Sequence, residues 1–280
     1  MRGPRNLVIQ PGGDGGRYWR DLWAYRDLFA ILAWRDIAVR YKQTAVGIAW
    51  VLLQPLAQVL VMVVVFGAIA GLPSEGGAPY ALMVYAGMLP WQLFASAVSG
   101  ASTSIAGNAG LISKVYFPRM IIPAAAVATA LVDFLVSLLL LAALMLWFGQ
   151  VPTWRLLALP AYTALAIAVA FGPGLLIAAL NAEYRDFRYV IPFIIQFGLY
   201  VSPVGFSSAV VRDRFGEAAH LAYALNPMVG VIDGFRWAIL GTGNPPGGAA
   251  LAVSLVSAAA FLALGLWYFR GHERRFADVV

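Results

Sequence analysis

Six long apolar stretches alternate with short polar ones along this chain, over roughly 47–71, 80–107, 120–149, 156–181, 189–206 and 249–269. A helix rises about 1.5 Å per residue, so each stretch reaches across about 30 Å of hydrocarbon, the fifth only just. A membrane barrel would show segments of about ten residues with alternating polarity. The runs here are continuous, so the pattern predicts an all-α integral membrane protein with six transmembrane helices. Two further segments complete the pattern. In 17–42, Trp19, Trp23, Ala30, Trp34, Ile37 and Tyr41 fall on one helical stripe, with charges opposite and Arg26 and Asp27 at its border. That predicts an N-terminal amphipathic interfacial helix, its tryptophans at headgroup level. Between the fifth and sixth runs, 225–241 is apolar but too short to cross, and is bounded by Asn226-Pro227 and a glycine-rich stretch. It reads as a re-entrant outer segment, a half-helix tolerated only against protein or a water-filled cavity. The alternative is a helix lying flat on the outer surface. Asp233 and Arg236, at i and i+3, are placed for a local ion pair.

Composition agrees with this reading. The 280 residues are 61% apolar and 11% charged, with a mean hydropathy of +0.79, far from the roughly 25% charged residues of soluble domains. That excludes a soluble enzyme, a disordered chain and a fibrous repeat. With no cysteine, disulfides, thiolate metal sites and cysteine nucleophiles are excluded too. The net charge of +6 suggests no nucleic acid once its distribution is examined. Fifteen of the nineteen Lys and Arg fall before the first run, after the second and fourth, and in the tail. The positive-inside rule then puts both termini in the cytoplasm. Three parts follow: a flexible tail over 1–16, the interfacial helix over 17–44, and the membrane domain over 45–280.

Enzymatic chemistry finds little to work with. No GxxxxGK[ST] string is present to cradle ATP phosphates, and no GxGxxG precedes an acidic residue. His220 and His272 stand far apart and form no metal motif. Ser207, in Gly205-Phe206-Ser207-Ser208, reads as a helix cap rather than a nucleophile. Asp133 is the one carboxylate inside an uninterrupted apolar run. An ion there is costly, so it should meet a neighbouring helix or line a path. Gln54 and Gln58 read the same way, as interhelical polar contacts or as path groups. Pro55, between them, should kink the first span, and Pro90 and Pro123 the next two.

Several strings then resemble a known family. They are Gly47-Ile-Ala-Trp50 with Leu53-Gln-Pro55-Leu56, Leu89-Pro90-Trp91, NAGLISKVYFPR over 108–119, Asn181-Ala-Glu-Tyr-Arg-Asp186, and Leu225-Asn226-Pro227-Met228. Together they are similar to the membrane subunit of ABC-2 type polysaccharide exporters, which move O-antigen, capsule or teichoic acid chains. The resemblance runs from about Tyr25 to the end of the sixth run. It implies a homodimer with two ABC ATPase subunits, ATP and Mg held by those partners and no cofactor in this chain, and a lipid-linked glycan as substrate. Aromatic faces suit sugar rings, which makes Tyr85, Trp91, Phe94, Tyr116, Phe117, Phe197 and Tyr200 candidates for the path. Arg40, Lys42 and Arg119 are candidates for the lipid pyrophosphate, or are simple positive-inside anchors. Lys114, Glu183, Arg185, Asp186 and Arg188 are candidates for the ATPase contact. Met228, Ile232, Asp233, Phe235, Arg236 and Trp237 are candidates for an outer gate packed against a second copy. Export of a small amphiphile or drug, a polytopic enzyme acting on lipid-linked sugars, and a membrane scaffold are the competing readings.

Overall fold

The computed structural model describes residues 15–42, 47–184, 186–241 and 246–276, and among the described residues every regular element is a helix. The first segment is bent rather than straight. Helix α1 (Gly15–Ala24) and helix α2 (Arg26–Lys42) meet at a turn on Tyr25. The backbone ladder continues across it, through Tyr25 N to the Asp21 carbonyl and Phe29 N to the Tyr25 carbonyl. Trp19, Trp23 and Trp34 face outward. The inward face carries Tyr18, Leu22, Tyr25, Phe29, Leu32 and Ala33, which pack with Ile105, Ile112, Phe117 and Phe269. The proposed tail lies almost wholly outside the described residues.

Helix α3 (Gly47–Met62) runs on into a wider π turn over Val63–Ile69, where Ala70 N bonds back five residues to Val65. Next come α4 (Tyr80–Gly107), the short α5 (Ala109–Ile112), α6 (Ile121–Trp147), α7 (Leu159–Glu183) and α8 (Phe187–Val201). After these come α9 (Ala209–Phe215), α10 (Glu217–Tyr223), α11 (Pro227–Leu240) and α12 (Gly248–His272). Among the described residues five helical stretches are long and apolar enough to cross a membrane: Leu52–Ile69, Tyr80–Gly107, Ile121–Trp147, Trp154–Glu183 and Gly248–His272. The expected fifth span falls short. Helix α8 has 15 residues, or about 22 Å at the helical rise. Exposed Asp186 and Arg188 flank its start. Its end is set by Ser202, which precedes Pro203 and is extended (φ −89°, ψ 152°).

Helix α4 is the axis of the bundle and the most enclosed of the long helices, with α6, α7 and α11 packed around it. Apolar side chains gain little by leaving lipid for protein, so close approach of backbones matters more than burial. Gly172 on α7 and Gly265 on α12 touch backbone to backbone, and a Cβ on either would run into the other helix. Gly174 lies against Ala101, and Gly198 on α8 lies under the Trp91 ring. Asn181 Nδ2 donates to the Ser102 carbonyl at 2.9 Å, pinning α7 to α4.

Helix α11 begins and ends where its sequence suggests. Asn226 Oδ1 accepts from Met228 N at 3.0 Å, Pro227 takes the first turn, and Gly241 closes the helix with φ +66°. Its surroundings correct the expected gate. Met228, Ile232, Phe235 and Arg236 are buried inside this chain, against α4, α7 and α12, and do not face outward toward a second copy. Gly230 and Gly234 make this possible by letting Ser254 and the Tyr162 ring close on α11. Phe235 meets Phe134 edge-on at 5.9 Å. Asp233 and Trp237 keep partial exposure. The local ion pair is also replaced. Arg236 turns to Glu75 at 3.4 Å and to the carbonyls of Phe206, Val204 and Met83. Asp233 accepts from Ser208 at 2.6 Å.

Candidate functional site

A cavity of about 1110 Å³ forms a groove between α2, α3, α4, α6 and α8, at the depth of the apolar spans. Its polar groups come from short stripes at helical spacing, one from each wall. Helix α3 gives Gln54 and Gln58, α4 gives Gln92, Ser96, Ser99 and Thr103, α6 gives Asp133 and Ser137, and α8 gives Gln196 and Tyr200. Residues three or four apart share a helix face, so each wall shows a polar line flanked by apolar side chains. Gln92 Nε2 donates to Gln58 Oε1 at 3.1 Å, joining two walls. Pro55 lies between Gln54 and Gln58 on the same wall.

Asp133 marks the junction with α2. The Tyr41 hydroxyl donates to its Oδ1 at 2.6 Å, and Arg40 Nη2 stands 2.7 Å from Oδ2. The partner expected from a neighbouring helix is thus supplied by the segment preceding the first span. One hydrogen bond and an opposite charge offset the cost of an ion at this depth. Ser137 donates back to the Asp133 carbonyl at 2.9 Å, four residues away. Except for this Arg40–Asp133 pair, the lining is amide, hydroxyl, aromatic and aliphatic.

The expected path aromatics divide. Trp91 and Tyr200 line the groove. Phe94 packs beside Trp91 at 5.2 Å between centroids. Tyr85 is buried in the core, its hydroxyl donating to the Ser137 carbonyl at 2.9 Å. Phe197 stacks on Phe193, both exposed, on the outer face of α8. Tyr116 is exposed at the opposite end of the bundle from α11, and Phe117 beside it is buried. Of the three basic candidates, Arg40 lines the groove. Lys42 is exposed at the end of α2. Arg119 donates to the Glu273 carbonyl, away from both. Lys114, Glu183, Asp186 and Arg188 are all exposed, beside exposed Val115, Tyr116, Tyr184 and Tyr189. Arg185 lies outside the described residues. The sequence reading missed the α4 polar line and Gln196. Their signal was present as the i, i+4, i+7, i+11 spacing of residues 92, 96, 99 and 103, hidden within a run read only for its length. Ser207 does not cap the preceding span; its hydroxyl accepts from Ala209 N at 3.3 Å in the turn before α9, whose N-cap is Ser208.

A family model described as ABC-2 type transporter matches residues 27–240 of the chain. Over 222 residues the chain is 28% identical to an O-antigen export system permease protein, RfbA, of Myxococcus xanthus, a match covering 79% of this chain and 83% of that protein. It is 24% identical over 255 residues to a protein of the same description from Klebsiella pneumoniae, covering 91% of this chain and 95% of the other. With a polysialic acid transport protein, KpsM, of Escherichia coli it shares 25% identity over 248 residues, covering 85% and 91%.

Proposed function

This chain belongs to the ABC-2 type transporter family, and from that premise we propose that it is the membrane subunit of an exporter that moves a lipid-linked polysaccharide out of the cytoplasm. The observation that carries the substrate class is the groove. Its amides and hydroxyls both donate and accept, so they can exchange bonds with sugar hydroxyls as successive rings pass. Tyr200 offers a flat apolar face for the C–H side of each ring. A lining with little net charge holds a long glycan chain loosely at many points, which favours movement over capture. The relatives named for O-antigen export and polysialic acid transport support the same class.

The working assembly is proposed as a homodimer with two ABC ATPase subunits, which hold ATP and Mg. The docking surface is the exposed end that carries Lys114, Tyr116, Glu183, Tyr184, Asp186 and Arg188. Both termini are proposed to be cytoplasmic, in line with the excess of Lys and Arg on that side. Helix α8 counts as a short sixth crossing, extended by residues 202–206, and α1 and α2 lie at the inner interface with Trp19, Trp23 and Trp34 toward lipid. Topology is tested by a cysteine at position 113 in this cysteine-free chain, which an impermeant reagent should not label in intact cells.

Function is tested by deleting the reading frame from the native host. Surface polysaccharide should disappear while its lipid-linked form accumulates inside, and the chain with its ATPase should restore export. Unchanged surface glycan, together with inward accumulation of a small amphiphile, would assign the groove to the drug-like substrate class instead.

A further inference from the structure

The lining and the edges of the groove differ in what they can bind. Gln54 on α3, Ser99 and Thr103 on α4 and Gln196 on α8 line it, and all four are exposed. Amides and hydroxyls at this depth cannot be left to hydrocarbon tails, so water or another polar group must meet them. The edges are of the opposite kind. Leu53 and Leu60 on α3 and Phe193 and Phe197 on α8 each stand one position from a groove residue, about 100° round the helix, and all four are exposed. A free sugar or a column of water satisfies the lining and leaves the edges unmet. A hydrocarbon tail satisfies the edges and leaves the lining unmet. An amphiphile with its head inside the groove and its tails outside satisfies both.

The wall formed by α8 is also short. Its 15 residues cover about 22 Å, against about 30 Å of hydrocarbon. Residues 202–205, which follow, are buried in the protein and add nothing to the exposed length. Exposed Asp186 and Arg188 flank its other end. A bilayer meeting so short a wall thins toward it, and thinning lowers the barrier to a polar group that must cross. The groove matches this length, since its lining on α4 runs from Leu89 to Thr103, about 21 Å at the helical rise. Arg40 and Asp133, at the α2 end, face each other at 2.7 Å, so the lining as a whole carries no net charge to trap a head of either sign. We propose that the groove is a lipid furrow, along which the headgroups of zwitterionic phospholipids cross between leaflets without ATP while their tails stay in the bilayer. This is an activity in addition to glycan export. It rests on the groove being open to the membrane and not on the identity of the exported substrate.

The test reconstitutes the full chain, without nucleotide, into vesicles of phosphatidylethanolamine and phosphatidylglycerol carrying a trace of phosphatidylcholine labelled with NBD on an acyl chain. Dithionite added outside bleaches the outer leaflet, and then each labelled lipid that arrives there. Protein-free vesicles should keep the inner half of their fluorescence, and vesicles holding the chain should lose nearly all of it within minutes. NBD-glucose trapped inside should stay protected, because the furrow opens to the bilayer and is not a closed pore. Ser99→Leu combined with Thr103→Leu should slow the loss about tenfold, the effect of removing two hydrogen-bonding groups of ordinary strength. Gln196→Leu should slow it several-fold, and Val256→Leu, on the exposed face of α12, should leave it unchanged. All four positions are exposed, so the melting temperature should hold. An inner half that stays protected, as a second copy packed over the furrow would give, overturns the proposal. Bleaching of the trapped NBD-glucose, or leucine variants that keep the parent rate, would overturn it too. Export of surface glycan is scored separately in cells. A chain that exports but leaves the inner half protected keeps its function and loses this activity. A chain that moves phospholipid but restores no surface glycan keeps this activity and loses the function.

Discussion

Arg236→Met is the substitution whose consequence the structure specifies most fully. Arg236 is fully buried. Its guanidinium bonds the carbonyls of Phe206 and Val204 at 2.7 Å each and that of Met83 at 3.3 Å, and it pairs with Glu75 at 3.4 Å. It therefore ties α11 to the start of α4, to the 202–206 segment and to the loop before α4. Gly87 makes room for it, since a Cβ there would stand 3.0 Å from Nη2. Methionine keeps much of the volume and none of the bonds. Removing one partner of a buried charged pair costs about 3–5 kcal/mol. We expect about 4 kcal/mol here, because three carbonyls and a partly exposed carboxylate lose their donor. Arg236→Lys keeps the charge but not the fork, and should lose about 2 kcal/mol. Glu75→Gln, on the solvent-facing side of the pair, should cost about 1 kcal/mol. In the double variant the two losses should sum to less than their total, since the orphaned carboxylate is gone. Unfolding of the purified protein in mixed micelles, followed by tryptophan fluorescence, measures all four, with the exposed Arg214→Met as control. If Arg236→Met unfolds with Arg214→Met, within about 0.5 kcal/mol of the parent, the guanidinium is not a fastener and the argument fails.

Gly265→Ala should destabilise by about 3 kcal/mol, because α7 and α12 touch backbone to backbone there; Gly271→Ala, with open space around it, should be neutral or gain a few tenths, and thermal melting compares them. Replacing both Gln58 and Gln92 by Leu removes a bonded pair together, so stability should change by less than about 1 kcal/mol, while export into the surface glycan falls several-fold; full export from a folded double variant would remove these amides from the path. Combining Arg185→Glu with Asp186→Arg should reduce ATPase co-purification more than Arg212→Glu with Asp213→Arg, and equal losses would count against the proposed docking end.

The long spans were legible because a continuous apolar run has one meaning in a membrane. The second run was read as 80–107, and α4 occupies Tyr80–Gly107; the third was read as 120–149, and α6 occupies Ile121–Trp147. What the run could not convey was which way a side chain faces. The stripe of α1 and α2 was read as lying at headgroup level, and Trp19, Trp23 and Trp34 are exposed; Tyr41, on the same stripe, instead turns in to Asp133, because lipid and protein core are equally apolar to a periodicity reading. The decisive polar partners were equally out of reach. Asp133 meets Tyr41 across 92 positions, and Arg236 meets Glu75 across 161. At i and i+3, Asp233 was the obvious partner for Arg236, but four acceptors brought together by tertiary packing outweighed one nearby carboxylate. Trp91 and Tyr200 were found at the groove because aromatics near polar span residues are conspicuous. Tyr85 has the same composition around it and differs only in rotation about the helix.

The Tyr18 hydroxyl donates to Glu273 at 2.8 Å across 255 positions, and Arg270 stacks on the Tyr18 ring at 4.8 Å. Helix α1 is therefore completed by a residue made 255 positions later. At a synthesis rate of about 5–20 residues per second, α1 waits on the order of tens of seconds for its partner. Throughout that interval the Tyr18 hydroxyl lacks its acceptor and the Tyr18 ring lacks its Arg270 contact. The outward tryptophans, Trp19 and Trp23, give the waiting helix a place to rest, on the lipid surface. Assembly thus closes like a clasp between α1 and the end of α12, and only once α12 has been made.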